Sequence, residues 1–134
     1  MGASSEHFSS TELACKCCGV NDCTQGLVDA LESFRAVAGQ PVIVNDAYRC
    51  PKHNAAVGGA QHSQHMLGQG ADIRVAGLTA VQLEGIARSI PAIHGIGRAD
   101  FQNYLHVDVR EDPHQWCYNA QGQQEAYYAP PIVT

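Results

Sequence analysis

The sequence predicts an α+β fold in which helices flank a small antiparallel sheet. Two segments place apolar residues at helical spacing: residues 24–38, which end before Gly39, and residues 79–89, which begin with a capping-box pattern. Two further segments, 71–75 and 104–110, alternate apolar and polar residues as half-buried strands do. Short strands mixed with helices of this length are typical of an α+β domain.

Shorter elements are expected between these segments. Residues 9–11 favour a helical turn, residues 41–44 form an apolar run typical of a buried strand, and residues 50–57 favour a short helix. The last part of the chain is polar, so we expect residues 118–134 to be peripheral. Because there is no internal repeat and no low-complexity linker, residues 1–134 are predicted to form one domain.

Composition and charge exclude several classes of protein. A chain of 134 residues, 45% of them apolar, is long enough to bury a core, yet no run approaches the roughly 18 to 20 apolar residues of a membrane-spanning helix. A net charge of −5 without any basic run argues against nucleic-acid binding. Residues 1–7 have neither the basic nor the apolar region of a secretory signal, so we expect synthesis in the cytoplasm. We also expect the protein to be a monomer.

The six cysteines leave more than one interpretation open. Four of them lie in one predicted loop, residues 15–23, and the other two lie far from it: Cys15, Cys17, Cys18 and Cys23, then Cys50 and Cys117. Disulfides, thiolate ligation of a metal and buried free thiols are all compatible with this distribution. The Cys-x-Cys-Cys-x₄-Cys spacing lacks the paired Cys-x₂-Cys units of ordinary zinc ribbons, which argues against a small interaction module built on the cysteines alone.

Polar side chains of two predicted strands would share one face of a sheet. Asp72 lies on the polar face of the first strand, and His106 and Asp108 lie on the polar face of the second. His65 precedes Asp72 by seven residues, and two intervening glycines allow the backbone to turn sharply. Two imidazoles and one carboxylate suit Zn²⁺ and leave its fourth position for water, as in a catalytic zinc site.

Four blocks of the chain, taken together, resemble a known family. They are Tyr48-Arg49-Cys50-Pro51-x-His53-Asn54, Val57-Gly58-Gly59-Ala60, Ser63-x-His65-x-x-Gly68-x-Gly70-Ala71-Asp72-Ile73 and Leu105-His106-Val107-Asp108-Val109-Arg110, with Trp116 beyond. This string resembles the zinc D-Ala-D-Ala carboxypeptidase family, which includes murein peptidases and phage endolysins and has the Hedgehog/DD-peptidase fold. The resemblance covers about residues 7–117, and Gly70 stands where the family usually has alanine.

The resemblance implies an activity and a role for several residues. It implies a zinc peptidase that hydrolyses peptide bonds in peptidoglycan stem or cross-link peptides, of the D-Ala-D-Ala carboxypeptidase or endopeptidase type. The implied zinc ligands are His65, Asp72 and His106. Arg49 matches an arginine that steadies the substrate carbonyl or the oxyanion, and Ser63 matches a serine that hydrogen-bonds the substrate. We also assign Tyr104, on the polar face of the last strand, to substrate binding.

The identity of the general base is open at this point. Several branches of the family carry an acidic residue three positions before the last histidine ligand, where this chain has Asn103, whose amide is no base. Asp108 is our candidate for the functional carboxylate, and orientation of His106 is its alternative role. Further candidates are Asp100, His62 and His94.

The amide of Asn103 also keeps a second function open, namely a non-catalytic zinc-binding phage or cell-wall interaction domain of the same fold. For a wall-degrading enzyme, the family resemblance implies delivery to the cell wall by phage lysis or by a virion.

Overall fold

The computed structural model describes residues 2–59 and 63–126, and within them four helices and one six-stranded sheet form an α+β fold. The helices are α1 (Ser10–Leu13), α2 (Gln25–Ala38), α3 (Pro51–Ala56) and α4 (Ala80–Arg88). The strands are β1 (Ile43–Asp46), β2 (Gly70–Arg74), β3 (Gly95–Ala99), β4 (Tyr104–Asp108), β5 (His114–Tyr118) and β6 (Gln124–Ala126). The predicted α+β class is confirmed.

The sheet is mixed, so the expectation of a purely antiparallel sheet is wrong. The strand order is β1-β2-β4-β3-β5-β6, and every neighbouring pair is antiparallel except β3 and β5. Because β3 and β4 form a hairpin, the end of β4 at Asp108 lies beside Gly95 at the start of β3. The short loop that follows brings His114 to the other side of Gly95, and β5 therefore runs in the same direction as β3.

Both long helices form where their sequence patterns predict. In α2, Thr24 caps the first turn by accepting a hydrogen bond from the Leu27 N–H at 3.2 Å, and Gly39 ends the helix in the left-handed conformation with φ +68°. In α4, Thr79 and Gln82 form the predicted capping box. The caps and the apolar spacing therefore determine both helices locally.

The shorter elements agree with the sequence in part. Helices α1 and α3 form as predicted, whereas β1 begins two residues later than the apolar run at 41–44. Strands β3, β5 and β6 were not predicted, since two glycines interrupt β3, β5 lacks aliphatic residues and β6 has only three residues, two of them polar. The segment expected to be peripheral, 118–134, begins in the sheet: Tyr118 ends β5, and β6 pairs with β5 at the sheet edge. Residues 127–134 lie outside the described residues.

The two faces of the sheet differ in composition, because successive side chains of a strand point to opposite faces. One face packs against α2 and α4 and forms the apolar core, whose central members are Leu27, Leu31, Phe34, Ile73, Leu83, Leu105 and Val107. The other face carries the polar residues of β2 and β4 together with Trp116 of β5. In the part of the chain that the structure describes, no helix has the length and apolar character needed to cross a bilayer.

Candidate metal centre

Strand register places the carboxylate of Asp72 against the imidazole of His106. The two residues are direct partners in the antiparallel pairing of β2 and β4. Asp72 Oδ1 lies 3.0 Å from His106 Nδ1 and 3.2 Å from His65 Nε2. All three side chains are buried, and their ligand atoms lie within 4.8 Å of one another. The structure thus brings together the three residues that the sequence singled out as metal ligands.

A tight turn delivers His65 to this centre. The Ser63 hydroxyl accepts the His65 N–H at 3.1 Å, and the turn ends at Gly68, whose φ is +69°. A Cβ at Gly68 would lie 2.0 Å from the backbone oxygen of Asp22, and the Gly68 oxygen accepts the Thr24 N–H at 2.9 Å. Only glycine permits both the conformation and the close approach at this position.

The ring nitrogens that face away from Asp72 in the two histidines are both fixed by hydrogen bonds. His65 Nδ1 lies 2.6 Å from the Ala47 oxygen, and His106 Nε2 lies 2.7 Å from Asp108 Oδ2. Carbonyl and carboxylate oxygens only accept, so each of these nitrogens carries the hydrogen. His65 Nε2 and His106 Nδ1 both face Asp72 Oδ1, and one cation can take the place of hydrogens on these two nitrogens and bind all three atoms. This donor set fits a divalent metal such as zinc.

Electrostatics at the centre also favour a cation. Burial alone would raise the pKa of Asp72, but the charge of His65 and hydrogen bonds with both imidazoles hold it well below its usual range. Burial alone would lower the pKa of His106, whereas its hydrogen bonds to Asp108 and Asp72 raise it. The Asp72 carboxylate therefore stays ionised at neutral pH, and its negative charge favours a cation at the centre.

Asp108 lies beneath His106, fully buried. Its carboxylate is hydrogen-bonded to the His106 imidazole. It also accepts three hydrogen bonds from Arg110, which donates its backbone N–H at 3.2 Å, its Nε at 2.8 Å and its Nη2 at 2.7 Å. Burial by itself would raise the pKa of Asp108, but these hydrogen bonds hold it well below its usual range. Both carboxylate oxygens therefore already have donors, and the side chain is bonded to His106 and does not line the open groove.

Arg49 lies at the edge of the centre, held by three side chains. Its Nε donates to Asp46 Oδ2 at 2.5 Å and its Nη1 to Asn54 Oδ1 at 3.2 Å. Nη2 lies 3.4 Å from Asp72 Oδ2, and the Arg49 backbone N–H donates to the His65 oxygen at 3.1 Å. The guanidinium is therefore fixed beside the carboxylate of the centre, with its remaining N–H donors towards the groove that it lines.

An open groove of about 470 Å³ lies over the centre. Ser63 and Tyr104, assigned to substrate binding from the sequence, both line it. Burial, followed by the charge of Asp72, raises the pKa of Tyr118 to about 12, and the same two causes raise that of Tyr104 above its ordinary value. Both phenols are therefore protonated at neutral pH. The further described residues of the wall are Val57, Gly58, Gly59, Gln64, Arg110, His114, Trp116, Gly122, Gln123 and Gln124.

Asn103, at the family's acidic position, and the further candidates for the general base are not part of the described groove wall. The Asn103 side chain accepts the Ala80 N–H at 3.3 Å, at the first turn of α4. Asp100 lies 3.0 Å from Arg98 Nε, on the sheet face that carries the helices. His94 and Asp100 do not belong to the described groove wall, and His62 lies outside the described residues.

Sequence reasoning missed one side of the groove, the face of β5. His114, Trp116 and Tyr118 all line the groove, and the His114 ring stacks on Trp116 with centroids 5.2 Å apart. The Trp116 ring in turn lies 5.1 Å from that of His106. The signal was present, because residues at positions 114, 116 and 118 of a strand share one face. The absence of aliphatic residues in this segment concealed the strand.

Comparison with known proteins agrees with this geometry. No curated protein matches the chain. A family model described as Peptidase M15 matches residues 6–108, a range that contains Arg49 and all three side chains of the candidate metal centre. The family has zinc-dependent metallopeptidases as its members, and the resemblance seen in the sequence is confirmed. The chain belongs to the peptidase M15 family.

Proposed function

We propose that this protein is a zinc-dependent peptidase that hydrolyses peptide bonds in peptidoglycan stem or cross-link peptides, as a D-Ala-D-Ala carboxypeptidase or endopeptidase. The observation that carries the proposal is the convergence of His65 Nε2, His106 Nδ1 and Asp72 at the floor of an open groove. When bound there, zinc supplies a water of lowered pKa and polarises a carbonyl oxygen. We also propose that the sheet and helices form a Hedgehog/DD-peptidase fold.

Arg49 is proposed to stabilise the oxyanion that develops on the substrate carbonyl. Its charge is permanent, and Asp46 and Asn54 hold its guanidinium in place before substrate arrives. Donors that are positioned in advance stabilise developing charge without reorganisation during the reaction. The Ser63 hydroxyl already accepts the His65 N–H, so its own hydrogen is free to donate to a substrate oxygen.

Asp108 is proposed to be a positioning residue that acts through His106. Its hydrogen bond to Nε2 keeps the Nδ1 lone pair directed at the metal, and its burial separates it from the substrate. This leaves the proton transfer to another group.

His114 is proposed as the group that accepts a proton from the attacking water and returns it to the leaving amine. Apart from the ligands and the arginines, the titratable residues of the described groove wall are Tyr104, His114 and Tyr118. The raised pKa values of the two phenols make them hydrogen donors at neutral pH and poor bases. An imidazole takes up and releases protons readily in this range.

The groove suits a short, polar peptide. Tyr104, Trp116 and Tyr118 provide flat walls, and Gln64, Gln123 and Gln124 provide amide donors and acceptors for a peptide backbone. The openness of the groove is compatible with a cross-linked substrate that cannot enter a deep pocket. We propose peptidoglycan peptides as the partner, and phage lysis or a virion as the route to the cell wall.

The experiment is release of new free amines from purified peptidoglycan, with mass spectrometry of the products to identify the cleaved bond. We expect release by the zinc-loaded protein, abolition by a chelator and by His106→Ala, and a large loss of rate with retained zinc for His114→Ala. His7→Ala is the matched control, because that histidine is paired with Glu32 away from the groove. Release that survives both the chelator and His106→Ala would refute the zinc mechanism.

A second candidate function is a zinc-binding module of the same family that does not hydrolyse its ligand. One observation favours it: among the described residues of the groove wall, Asp72 is the sole carboxylate. A zinc-loaded protein that binds murein but releases no amine from any murein type would favour this function over the peptidase.

A further inference from the structure

Three cysteine thiols from two separate segments converge on the protein surface. Cys15 and Cys18 lie in the loop after α1, and Cys50 lies directly before α3. The three Sγ atoms all lie within 4.8 Å of one another. Cys15 is buried, Cys50 is half-buried and Cys18 is exposed, so the cluster is open to solvent on one side. We name these three residues the thiol cluster.

The loop that carries two of the thiols is folded into a tight turn. The Gly19 N–H donates to the Cys15 oxygen at 2.8 Å, the Cys15 N–H donates to the Val20 oxygen at 2.7 Å, and Gly19 has φ +75°. Cys15 and Cys18 thus form a single Cys-x₂-Cys unit followed by glycine, a turn that can present two thiolate ligands to one zinc ion.

The second segment contributes the same kind of support. The Cys50 N–H donates to Cys15 Sγ at 3.4 Å, and Cys50 Sγ itself accepts the His53 N–H at 3.4 Å. Backbone donors stabilise negative charge on sulfur, so both sulfurs are suitable positions for thiolate ligands of a shared cation. A disulfide would use two of the three thiols and leave the third without a role, whereas a metal ion uses all three.

We propose that the thiol cluster binds a structural zinc ion through Cys15, Cys18 and Cys50, with Cys17 as the fourth ligand. Cys17 is exposed in the same loop, between Cys15 and Cys18, and it lies outside the group of three, so its side chain would have to turn inward to ligate. Four thiolates close the tetrahedron, so this ion holds no open position for substrate. The site shares no ligand with the His65, Asp72 and His106 centre, and it does not depend on the proposed peptidase activity.

The proposed ion would fix the segment that lines the groove. Cys50 directly follows Arg49, and three residues before Cys50 the Ala47 oxygen holds the Nδ1 hydrogen of His65 at 2.6 Å. Between them, the Tyr48 N–H donates to the Leu13 oxygen at 3.3 Å. One metal ion would therefore connect the loop after α1 to the backbone segment that positions Arg49 and His65 at the candidate metal centre.

The test is metal analysis of the full chain, purified under reducing conditions, together with zinc X-ray absorption. We expect zinc–sulfur scattering at about 2.3 Å, retained in His106→Ala and reduced in Cys18→Ser, which removes one of the ligands. Cys23→Ala is the matched control, since this thiol belongs to the same loop but contacts the Leu13 oxygen at 3.7 Å outside the cluster. In the His106→Ala background, where the thiol cluster holds the bound zinc, Cys17→Ser should lower the sulfur number per zinc from four to three, and an unchanged number would overturn Cys17 as a ligand.

Cobalt substitution of the wild-type chain keeps the proposal falsifiable if Cys18→Ser does not fold. Thiolate-to-cobalt charge transfer in the near ultraviolet reports sulfur ligation alone, and it should persist in His106→Ala, which isolates it from the catalytic centre. The proposal is overturned if this absorption is absent, if the zinc has only nitrogen and oxygen neighbours, or if thiol titration of the denatured, unreduced protein reveals a disulfide between two members of the cluster.

Discussion

Replacing Asp108 with asparagine is expected to weaken zinc binding although Asp108 is not a metal ligand. The substitution keeps the shape of the side chain but turns one oxygen into an NH₂ group. Oδ1, which accepts from the Arg110 N–H and Nε, is best kept as the oxygen, so the NH₂ replaces Oδ2 and faces His106 Nε2, now 2.7 Å from the carboxylate. Two donors then oppose each other, unless the His106 hydrogen moves to Nδ1, the nitrogen that faces the metal.

The magnitude follows from the burial and the charge of this hydrogen bond. Loss of an outer partner of a ligating histidine costs roughly 10- to 100-fold in metal affinity, which is about 1.4 to 2.7 kcal/mol. A hydrogen bond to a charged group contributes about 1.5 to 3 kcal/mol, and the side chain of Asp108 is 0% exposed, so water cannot replace it. Both routes give the same range.

The assay is competition for zinc between the protein and a chromophoric chelator at neutral pH. Asp100→Asn is the control, because this carboxylate is 53% exposed and paired with Arg98 on the opposite face of the sheet, and we expect no change in zinc affinity. If Asp108→Asn bound zinc as tightly as the wild type and yet lost most of its hydrolytic rate, Asp108 would itself transfer the proton and the positioning role would be wrong.

Two further predictions concern stability. Gly95→Ala should lower the free energy of unfolding by about 1 to 3 kcal/mol in chemical denaturation, because its Cβ would lie 2.0 Å from an oxygen of the buried carboxylate beneath the centre. Gly85→Ala, in α4 with no atom within 4 Å of the new methyl, should instead be neutral or stabilising, and equal losses would refute the steric reason. Burial alone would raise the pKa of Glu32, but hydrogen bonds from Ser5 and His7 lower it from 4.5 to about 2. Its contribution to stability is therefore full above about pH 4.5 and is lost as the pH falls towards 2, so Glu32→Gln should flatten the acid limb of thermal stability measured against pH. An unchanged acid limb would contradict this reasoning.

Local signals in the sequence were sufficient for the helices and for the strands with clear alternation. Thr24, Gly39 and the Thr79 capping box define their helices through contacts within a few residues, so they are readable without the fold. The alternation of β2 and β4 also placed Asp72 and His106 on one face, and the seven-residue spacing with two intervening glycines added His65, in agreement with the family motif. These predictions needed no knowledge of distant partners.

Tertiary structure alone decided the rest of the groove. Strands β3 and β5 pair because the hairpin end at Gly95 lies where the chain returns at His114, a contact that no local pattern of glycines and polar residues encodes. That pairing brings His114 and Trp116 to the groove wall, whereas Asp108 is buried against the His106 imidazole and is not part of that wall.

The sequence by itself determined which residue types are available for the chemistry, because ligand type and spacing are local properties. Register and packing determined which of them touch: the lone pairs of His65 and His106 are directed by Ala47 and Asp108, and the thiols of Cys15 and Cys50 meet across 35 positions. Side-chain direction depends on hydrogen-bond partners that are distant in sequence, and only the folded chain supplies them.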